Sequence, residues 1–282
     1  MAGTRFAYVR NFELPDPLLP DTYIVLRIDG HSFHRQFSEE HELAKPNDVR
    51  ALKLMDEAAS SVMEMFTDIT LAFGESDEFS FLFKKSTNVY NRRNAKILTT
   101  VVSQFTSSYV FNWAKHFPGV SLKYPPSFDG RIVLYPTEKV VRDYFSWRQA
   151  DTHINNLYNT AFWALVQEGK QTTTQAHEAL RGTNSAQKNQ LLFERFGINY
   201  NDVPERMRKG SVIVREEARD LPLSVASFVD GCGGDKVVKE EDTLEVKDKG
   251  KGRKRASTRV TVLHCDLIRD EFWDERPYIL SE

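Results

Sequence analysis

Two adjacent carboxylates, Asp77 and Glu78, stand between two apolar runs in the stretch "LAFGESDEFSFLF". A third carboxylate, Asp29, closes the apolar segment "TYIVLRIDG" much earlier in the chain. Mg²⁺ prefers oxygen ligands and is usually held by one or two carboxylates together with substrate phosphates and water. Two such ions, roughly 4 Å apart, can activate an attacking oxygen and stabilise a leaving one. These residue types therefore predict metal-dependent phosphoryl transfer, provided that the fold brings Asp29 close to Asp77.

The alternation of side chains along a strand limits how the pair can be used. Adjacent residues of a regular strand face opposite sides of the sheet, so Asp77 and Glu78 share a site only if the turn redirects one of them. We therefore predict Asp77 as a metal ligand beside Asp29 and place Glu78 second. Each segment alone is also compatible with an ordinary turn, in which Asp and Gly are favoured for backbone reasons.

The elements that must position these carboxylates follow the order β-α-β-β-α-β. The patterns predict strands at 22–30 and 128–136, a hairpin at 68–83, and helices at 47–66 and 91–117. This order is that of the ferredoxin-like fold, an antiparallel sheet with both helices on one face. Because its first and third strands are central neighbours, Asp29 and the hairpin would meet. We predict an α+β catalytic domain at 1–136.

The remainder of the chain, 137–282, has a more helical character. Helices are predicted at 137–169 and 185–197, and strands at 210–218 and 259–268. The charge-rich stretch 235–258, almost without aromatic residues, is predicted to be a mobile surface loop. We expect this second region to pack on the first.

Charge and cysteine content narrow the class of protein. The chain has 38 Lys and Arg against 40 Asp and Glu, a net charge of −2. Because the surface as a whole is not basic, a polyanion would have to bind a local basic patch. Two cysteines, Cys232 and Cys265, cannot build a disulfide framework, and no Cys/His spacing indicates zinc. The start of the chain lacks a signal-peptide pattern. We expect a reducing intracellular compartment, the cytoplasm or nucleus, with a mitochondrial pool also open.

Four segments, in this order and spacing, carry a resemblance to a known family. They are "RIDGHSFHRQF" (27–37), "LAKPND" (43–48), "FGESDEFSF" (73–81) and "DTHINNLYNTAFW" (151–163). Together they resemble the eukaryotic tRNA-His guanylyltransferases, which add a nucleotide in the 3′-to-5′ direction. The resemblance covers most of the chain and implies a polymerase-like palm, with a homotetramer built as a dimer of dimers.

The resemblance also implies a reaction. One guanylate is added to the 5′ end of tRNA-His. ATP first adenylylates the 5′-phosphate, the 3′-hydroxyl of GTP then attacks that phosphate and releases AMP, and pyrophosphate is finally removed. Two Mg²⁺ ions serve the phosphoryl transfers.

Carried over by matching positions, Asp29 and Asp77 are metal-binding carboxylates, the carbonyl of Gly30 is a further ligand, and Glu78 completes the catalytic acidic set. The implied nucleotide-binding residues are Asp29, Gly30, His31, Ser32, Phe33, His34, Lys45, Ser76, Asp77 and Lys96. A glycine lets the backbone approach phosphate, Phe33 or His34 offers a ring for guanine, and Lys45 is a point charge for a triphosphate. His31 stands where many members carry a basic residue, so its role is left open.

Basic and amide side chains are the candidates for binding tRNA. They are Arg27, Arg92, Arg93, Arg148, His153, Asn155, Asn156, Asn159, Lys188, Arg208 and Lys209. Cations at a helix start favour an anion, and amides can hydrogen-bond base edges. The resemblance puts the anticodon among the targets. Two simpler interpretations stay open: Arg27 pairs with Glu78, and the other cations face solvent.

Two alternatives compete with the transferase. A nucleotide cyclase can use a similar hairpin with two metal aspartates, but it needs no tRNA and leaves the polar "HINNLYN" helix unexplained. A non-catalytic RNA-binding protein with a ferredoxin-like fold would carry aromatic residues on the sheet face where this chain has Asp29 and Asp77.

Overall fold

The computed structural model describes residues 4–217 and 258–281, apart from the side chains of His34, Arg35 and Glu217. The loop predicted at 235–258 lies outside the described residues except for its last position, and Cys232 lies outside them as well. Contacts divide the chain into a large unit, Met1–Val214 with Val260–Glu282, and a small one, Arg215–Arg259. The sheet core and the predicted site belong to the large unit.

Six strands form one sheet in the order β4-β1-β3-β2-β5-β6. Their bounds are Tyr23–Gly30 (β1), Ile69–Glu75 (β2), Glu78–Phe83 (β3), Phe128–Tyr135 (β4), Ser211–Glu217 (β5) and Thr258–Leu263 (β6). The first four are antiparallel neighbours in the ferredoxin-like order, which confirms the predicted fold class. Strand β5 pairs antiparallel with β2, so the C-terminal region extends the same sheet. The predicted division at residue 136 stays a prediction.

The two faces of the sheet carry different layers. Ile24, Leu26 and Ile28 of β1 pack with Phe79 and Phe81 of β3 against two helices, α2 (Val49–Met65) and α3 (Asn94–His116). Both helices of the predicted fold therefore cover one face, as expected.

On the opposite face, Tyr23, Val25 and Leu82 pack with Phe145 of the long helix α4 (Glu138–Gln167). Thr137 caps the start of α4, and its side chain accepts a hydrogen bond from the Val140 amide. Because side chains alternate along a strand, Asp29 in β1 and Glu78 in β3 point to this α4 face.

Smaller helices complete the described part of the chain. They are α1 (Ser38–Glu40), which follows a π-helical turn at Phe33–Phe37, and α5 (Thr173–Leu180), α6 (Ser185–Phe196), α7 (Glu205–Lys209) and α8 (Asp270–Glu275). Helices α5 and α6 pack on the C-terminal half of α4 through Leu165, Leu180 and Leu192. Among the helices described, none is both long and apolar enough to cross a membrane.

One buried polar contact fixes α4 on the sheet. The hydroxyls of Tyr144 in α4 and Ser80 in β3 lie 2.7 Å apart, and Ser80 is fully buried. We expect Tyr144→Phe to lower the free energy of unfolding by about 1–2 kcal/mol, because the Ser80 hydroxyl loses its partner inside the protein. Adding Ser80→Ala should cost less than the sum of the two single changes, as chemical denaturation of all three variants would measure. Strictly additive losses would show that the contact is not formed.

Candidate active site

A two-residue turn places Asp77. Strand β2 ends at Glu75 and β3 begins at Glu78, so Ser76 and Asp77 alone connect them. Ser76 adopts a φ of 50°, the left-handed conformation found in such tight hairpin turns. The amide of Gly30 donates to the Asp77 carbonyl over 3.0 Å, which ties the end of β1 to the turn. Because Asp77 lies in the turn, the alternation of side chains along a strand does not fix its direction, and it is buried beside the end of β1.

Asp29 and Asp77 influence each other electrostatically. Burial raises the pKa of Asp29, and the Asp77 carboxylate raises it further, while Arg27 acts in the opposite direction. Two close, partly buried carboxylates repel each other, and a hard divalent cation relieves that repulsion. This donor chemistry fits Mg²⁺.

The rest of the coordination would have to come from other oxygen atoms. Within the described ranges, no three or more His, Cys, Asp or Glu side chains converge on one point. Gly30, whose main-chain carbonyl is a predicted ligand, is the last residue of β1. A Cβ at this position would lie 2.6 Å from the Phe33 ring and 3.0 Å from the Asp77 Cβ, so only glycine permits the approach. Two carboxylates, a carbonyl and substrate phosphates are a ligand set typical of magnesium.

Glu78 has a different environment, although it is the register partner of Asp29. Its carboxylate accepts two hydrogen bonds from Arg148, from Nε over 2.8 Å and from Nη2 over 3.1 Å. Arg27 lies 3.7 Å away, which agrees with the interpretation that Arg27 pairs with Glu78. Burial raises the pKa of Glu78, and both guanidinium groups oppose that shift.

A cavity of about 650 Å³ opens between the hairpin, the start of α2 and the middle of α4. Of the residues predicted from the sequence, it brings together Asp29, Lys45, Ser76, Asp77, Glu78, Arg148, Asn155, Asn156 and Asn159. A smaller recess adjoins it and shares Lys45, Ser76 and Asp77, with Phe33 added to its wall. Asp77 therefore lines both the cavity and the adjoining recess.

Lys45 and Phe33 are the predicted nucleotide ligands on these walls. The ammonium of Lys45 donates to the Ser38 hydroxyl and lies 5.7 Å from the Trp163 ring centroid. Burial lowers the pKa of Lys45. Phe33 is buried, and its ring stacks on Phe37 at 4.4 Å, so its role as a guanine platform stays a prediction.

Three further predicted nucleotide ligands whose side chains are described, His31, Ser32 and Lys96, do not line the cavity or the recess. His31 and Ser32 are exposed in the segment after β1, and the side chain of His34 lies outside the described residues. Lys96 is exposed near the start of α3, with its ammonium 4.8 Å from the Tyr90 ring centroid. Nothing in these positions tests their predicted roles.

Two predicted tRNA ligands near the start of α3 differ in exposure. Arg92 is buried, and its guanidinium donates to the carbonyls of Leu19, Thr22 and Thr87. These bonds hold neighbouring loops together, which is a structural role. Arg93 is exposed and lies 3.6 Å from Asp16. Contact of either residue with tRNA stays a prediction.

The polar segment of α4 divides between surface and interior. His153 and Asn155 are exposed, whereas Asn156 is buried. Asn156 donates to the Tyr200 hydroxyl over 2.9 Å and accepts from Asn47 over 2.8 Å, so both of its polar atoms are used inside the protein. Asn159 is half-buried on the cavity wall. Although His153 is exposed as a residue, partial burial of its ring and the positive charge of Arg208 lower the pKa of the imidazole.

The predicted basic group beyond α4 is bonded locally. Lys188 donates to the Thr183 carbonyl over 2.7 Å, and Arg208 donates from Nε to the Val203 carbonyl over 2.6 Å. Lys209 pairs with a glutamate one turn earlier in α7. Each side chain keeps part of its surface in solvent, so phosphate contacts remain a prediction for this group.

Sequence reasoning missed several cavity residues, of which Glu75 is the most telling. Glu75 is the register partner of Glu78 across the two-residue turn, and its Oε1 lies 3.4 Å from Arg148 Nη2. Burial raises the pKa of Glu75 to about 7, although Thr152 and Arg148 oppose the shift. The signal was present in the sequence, because acids three apart across a two-residue turn face each other. Trp163, His177 and the buried Asp56 also line the cavity.

Glu75 should leave a signature in the pH dependence of stability. The ordinary pKa is 4.5 and the folded pKa is about 7, so the folded state keeps a proton that the unfolded state has lost. Stability should therefore fall, by on the order of 2–3 kcal/mol, as pH rises from about 4.5 to about 7. Glu75→Gln should remove this fall, as measured by denaturation in EDTA across that range. Glu64→Gln, an exposed control on α2, should leave it in place; an unaltered profile for Glu75→Gln contradicts the assignment.

Comparisons with known proteins agree with the geometry. Residues 6–136 match the family model described as tRNAHis guanylyltransferase. Residues 139–269 match the model described as Thg1 C terminal domain. The two matches together span well over half of the chain.

Individual relatives are similar along almost their whole length. The probable tRNA(His) guanylyltransferase of Mus musculus is 49% identical over 282 residues, covering 100% of this chain and 90% of the relative. The tRNA(His) guanylyltransferase of Schizosaccharomyces pombe is 50% identical over 281 residues, covering 99% and 98%. The crystal structure of the Saccharomyces cerevisiae tRNA(His) guanylyltransferase is 50% identical, with a TM-score of 0.72 over 74% of this chain and 93% of that chain. This chain therefore belongs to the tRNA(His) guanylyltransferase family of nucleotidyltransferases.

Proposed function

We propose that the protein adds one guanylate to the 5′ end of tRNA-His in three stages. ATP adenylylates the 5′-phosphate and releases its pyrophosphate, the 3′-hydroxyl of GTP then attacks that phosphate and displaces AMP, and the pyrophosphate carried by the added GTP is finally removed from the new end. The observation that carries the proposal is the meeting of Asp29 and Asp77 at the β1 end of the hairpin, beside the Gly30 main chain and under a cavity.

The carboxylates and the glycine have one shared task in this reaction. Asp29, Asp77 and the carbonyl of Gly30 would hold two Mg²⁺ ions. When bound, such ions neutralise phosphate charge and favour ionisation of the attacking hydroxyl. The short turn and the Gly30–Asp77 hydrogen bond keep the two aspartates in place before any substrate arrives, so binding need not organise them.

The cavity walls supply contacts for nucleotide and RNA. Lys45 brings a positive charge to the wall that faces Asp77, which suits a triphosphate. Asn155 and Asn159 present amides that can hydrogen-bond base edges. His153 lies on the exposed side of the same helix and is the candidate for contact with tRNA outside the cavity.

Assembly and location extend the proposal. The dimer of dimers implied by the family resemblance is part of the proposal; the exposed Val110 and Phe111 on α3 are apolar side chains of the kind that a second copy would cover, which supports one such contact. The cytoplasm or nucleus is the proposed compartment, with a mitochondrial pool as a further possibility.

The metal assignment has a direct test with a matched control. We expect Asp29→Ala and Asp77→Ala to lower the rate of guanylate addition by more than about a hundredfold, because the phosphate charge is no longer offset. The assay combines 5′-labelled tRNA-His, ATP, GTP and Mg²⁺ and resolves a product longer by one nucleotide. Asp129→Asn alters the exposed register partner of Asp29 on β4 and should change the rate less than about threefold. If either alanine variant still adds guanylate at the wild-type rate, the metal assignment is wrong.

Leaving tRNA out of the same mixture tests the activity itself. Without tRNA, the proposed enzyme should form no nucleotide product. Cyclic nucleotide formed without tRNA would instead support the cyclase.

His153 offers a separate test of tRNA recognition. We expect His153→Ala to weaken use of full-length tRNA-His by about tenfold while leaving adenylylation of a short 5′-phosphorylated duplex nearly unchanged, because the short duplex lacks the distal contacts. His116→Ala is the control, since His116 pairs with Glu57 on the other helical layer. Equal losses on both RNAs would count against a recognition role.

A further inference from the structure

Arg148 is the most fully engaged cation of α4. Its side chain is only 7% exposed. Nε and Nη2 bind the two oxygens of Glu78, Nη2 also reaches Glu75, and Nη1 lies 3.3 Å from Asp151 Oδ2. The Trp147 ring lies against the guanidinium, with 4.6 Å between the ring centroid and Cζ. The Arg148 guanidinium is therefore already bound by carboxylates and covered by an aromatic ring, and it is not free to bind an RNA phosphate.

The partners of Arg148 lie on both sides of the catalytic turn. Glu75 is the last residue of β2, and Glu78 is the first residue of β3. Ser76 and Asp77 lie between them, so one guanidinium holds the two residues that flank the metal-binding aspartate. Glu75 and Glu78 are register partners, so the guanidinium that reaches both also offsets the repulsion between their two carboxylates.

The same helix presents the proposed tRNA contacts. His153 and Asn155 follow Arg148 on α4, less than two turns away, and face solvent. On the turn between Arg148 and His153, the Thr152 hydroxyl donates to the Arg148 carbonyl over 2.9 Å, and Thr152 also lies close enough to Glu75 to lower the pKa of that carboxyl. One rigid stretch of helix thus joins the surface available to tRNA with the base of the catalytic hairpin.

We propose that Arg148 is a positioning residue for the catalytic hairpin, not a tRNA contact. It holds Glu75 and Glu78 as a pair, and through them it fixes Asp77 against Asp29. This inference rests on the proposed function, since it assigns Arg148 a part in that same site. It replaces the expectation that Arg148 binds tRNA.

The proposal separates the rate of reaction from the affinity for tRNA. Arg148→Met removes the hydrogen bonds and keeps much of the side-chain volume. We expect kcat for guanylate addition to fall by about 10–100-fold, because a small displacement of Asp77 misplaces the reacting groups. The Kd for tRNA-His and its salt dependence should stay within about twofold, since no phosphate contact is lost.

A double-mutant cycle gives a readout that general destabilisation would not produce. If Arg148 acts through Glu78, Arg148→Met should cost little more activity once Glu78→Gln is present. Arg148→Lys keeps the charge but loses the two-pronged bond, so it should restore part of kcat. Arg142→Met is the matched control on the same helix; Arg142 bonds to the exposed Asp270 and lies over an aromatic ring, as Arg148 does, and its change should leave kcat intact.

The possible results divide cleanly. The proposal is overturned if Arg148→Met binds tRNA-His more weakly, with a shallower salt dependence, while kcat at saturating tRNA is unchanged. That result would show that Arg148 contacts an RNA phosphate. Additive losses in the cycle would overturn it as well. If Arg148→Met does not fold, the same comparison is made with Arg148→Lys, alone and combined with Glu78→Gln. A wild-type protein that fails to add guanylate would instead refute the proposed function.

Discussion

The structure depends on the antiparallel pairing of β1 and β3, because that pairing alone brings together carboxylates that are far apart in the chain. In this register Asp29 faces Glu78, and the last amide of β1 reaches across to the Asp77 carbonyl. The apolar residues on the other side of the same strands fill the core beneath α2 and α3. A one-residue slip would exchange the two faces and move Asp29 into that core. The burial that stabilises the sheet therefore also specifies where the site lies.

Charge is balanced in two separate ways around the hairpin. On the α4 face, Arg148 and Arg27 approach Glu78, and both compensate for its burial. At Asp29, burial and the Asp77 carboxylate raise the pKa, and Arg27 acts in the opposite direction. Two close carboxylates of this kind repel each other, and a divalent cation would relieve that repulsion. Neighbouring acids in one short stretch of sequence have different chemistry because different elements face them.

Much of this arrangement could be predicted from the sequence, because the apolar periodicity is strong. The first strand, the hairpin, the three long helices and the strand ending before Pro136 lie within a few residues of their predicted bounds. Strand alternation favours Asp77 over Glu78 as a metal ligand, and in the structure Arg148 binds the Glu78 carboxylate, whereas the Asp77 main chain is hydrogen-bonded to Gly30. Helix α5 was missed, although Thr172 and Gln175 form a capping box at its start.

The partners of individual polar groups could not be predicted, since they depend on elements distant in the chain. Asn156 is held by Asn47 and Tyr200, and Arg92 is held by carbonyls of two loops. Their residue types suit RNA binding equally well. Only the packing shows that these donors are already used inside the protein.

Strand β5 also determines whether an N-terminal fragment that ends before α4 would have an exposed sheet edge. It covers the outer side of β2 through Leu71 to Gly74, pairing them with Val214 to Ser211. A fragment ending before α4 would keep every carboxylate of the site yet leave β2 as a bare edge, with unpaired amides and carbonyls beside apolar side chains. Such an edge invites association between copies. Strand β5 of the C-terminal region therefore covers, within the same chain, the edge through which copies of such a fragment would associate.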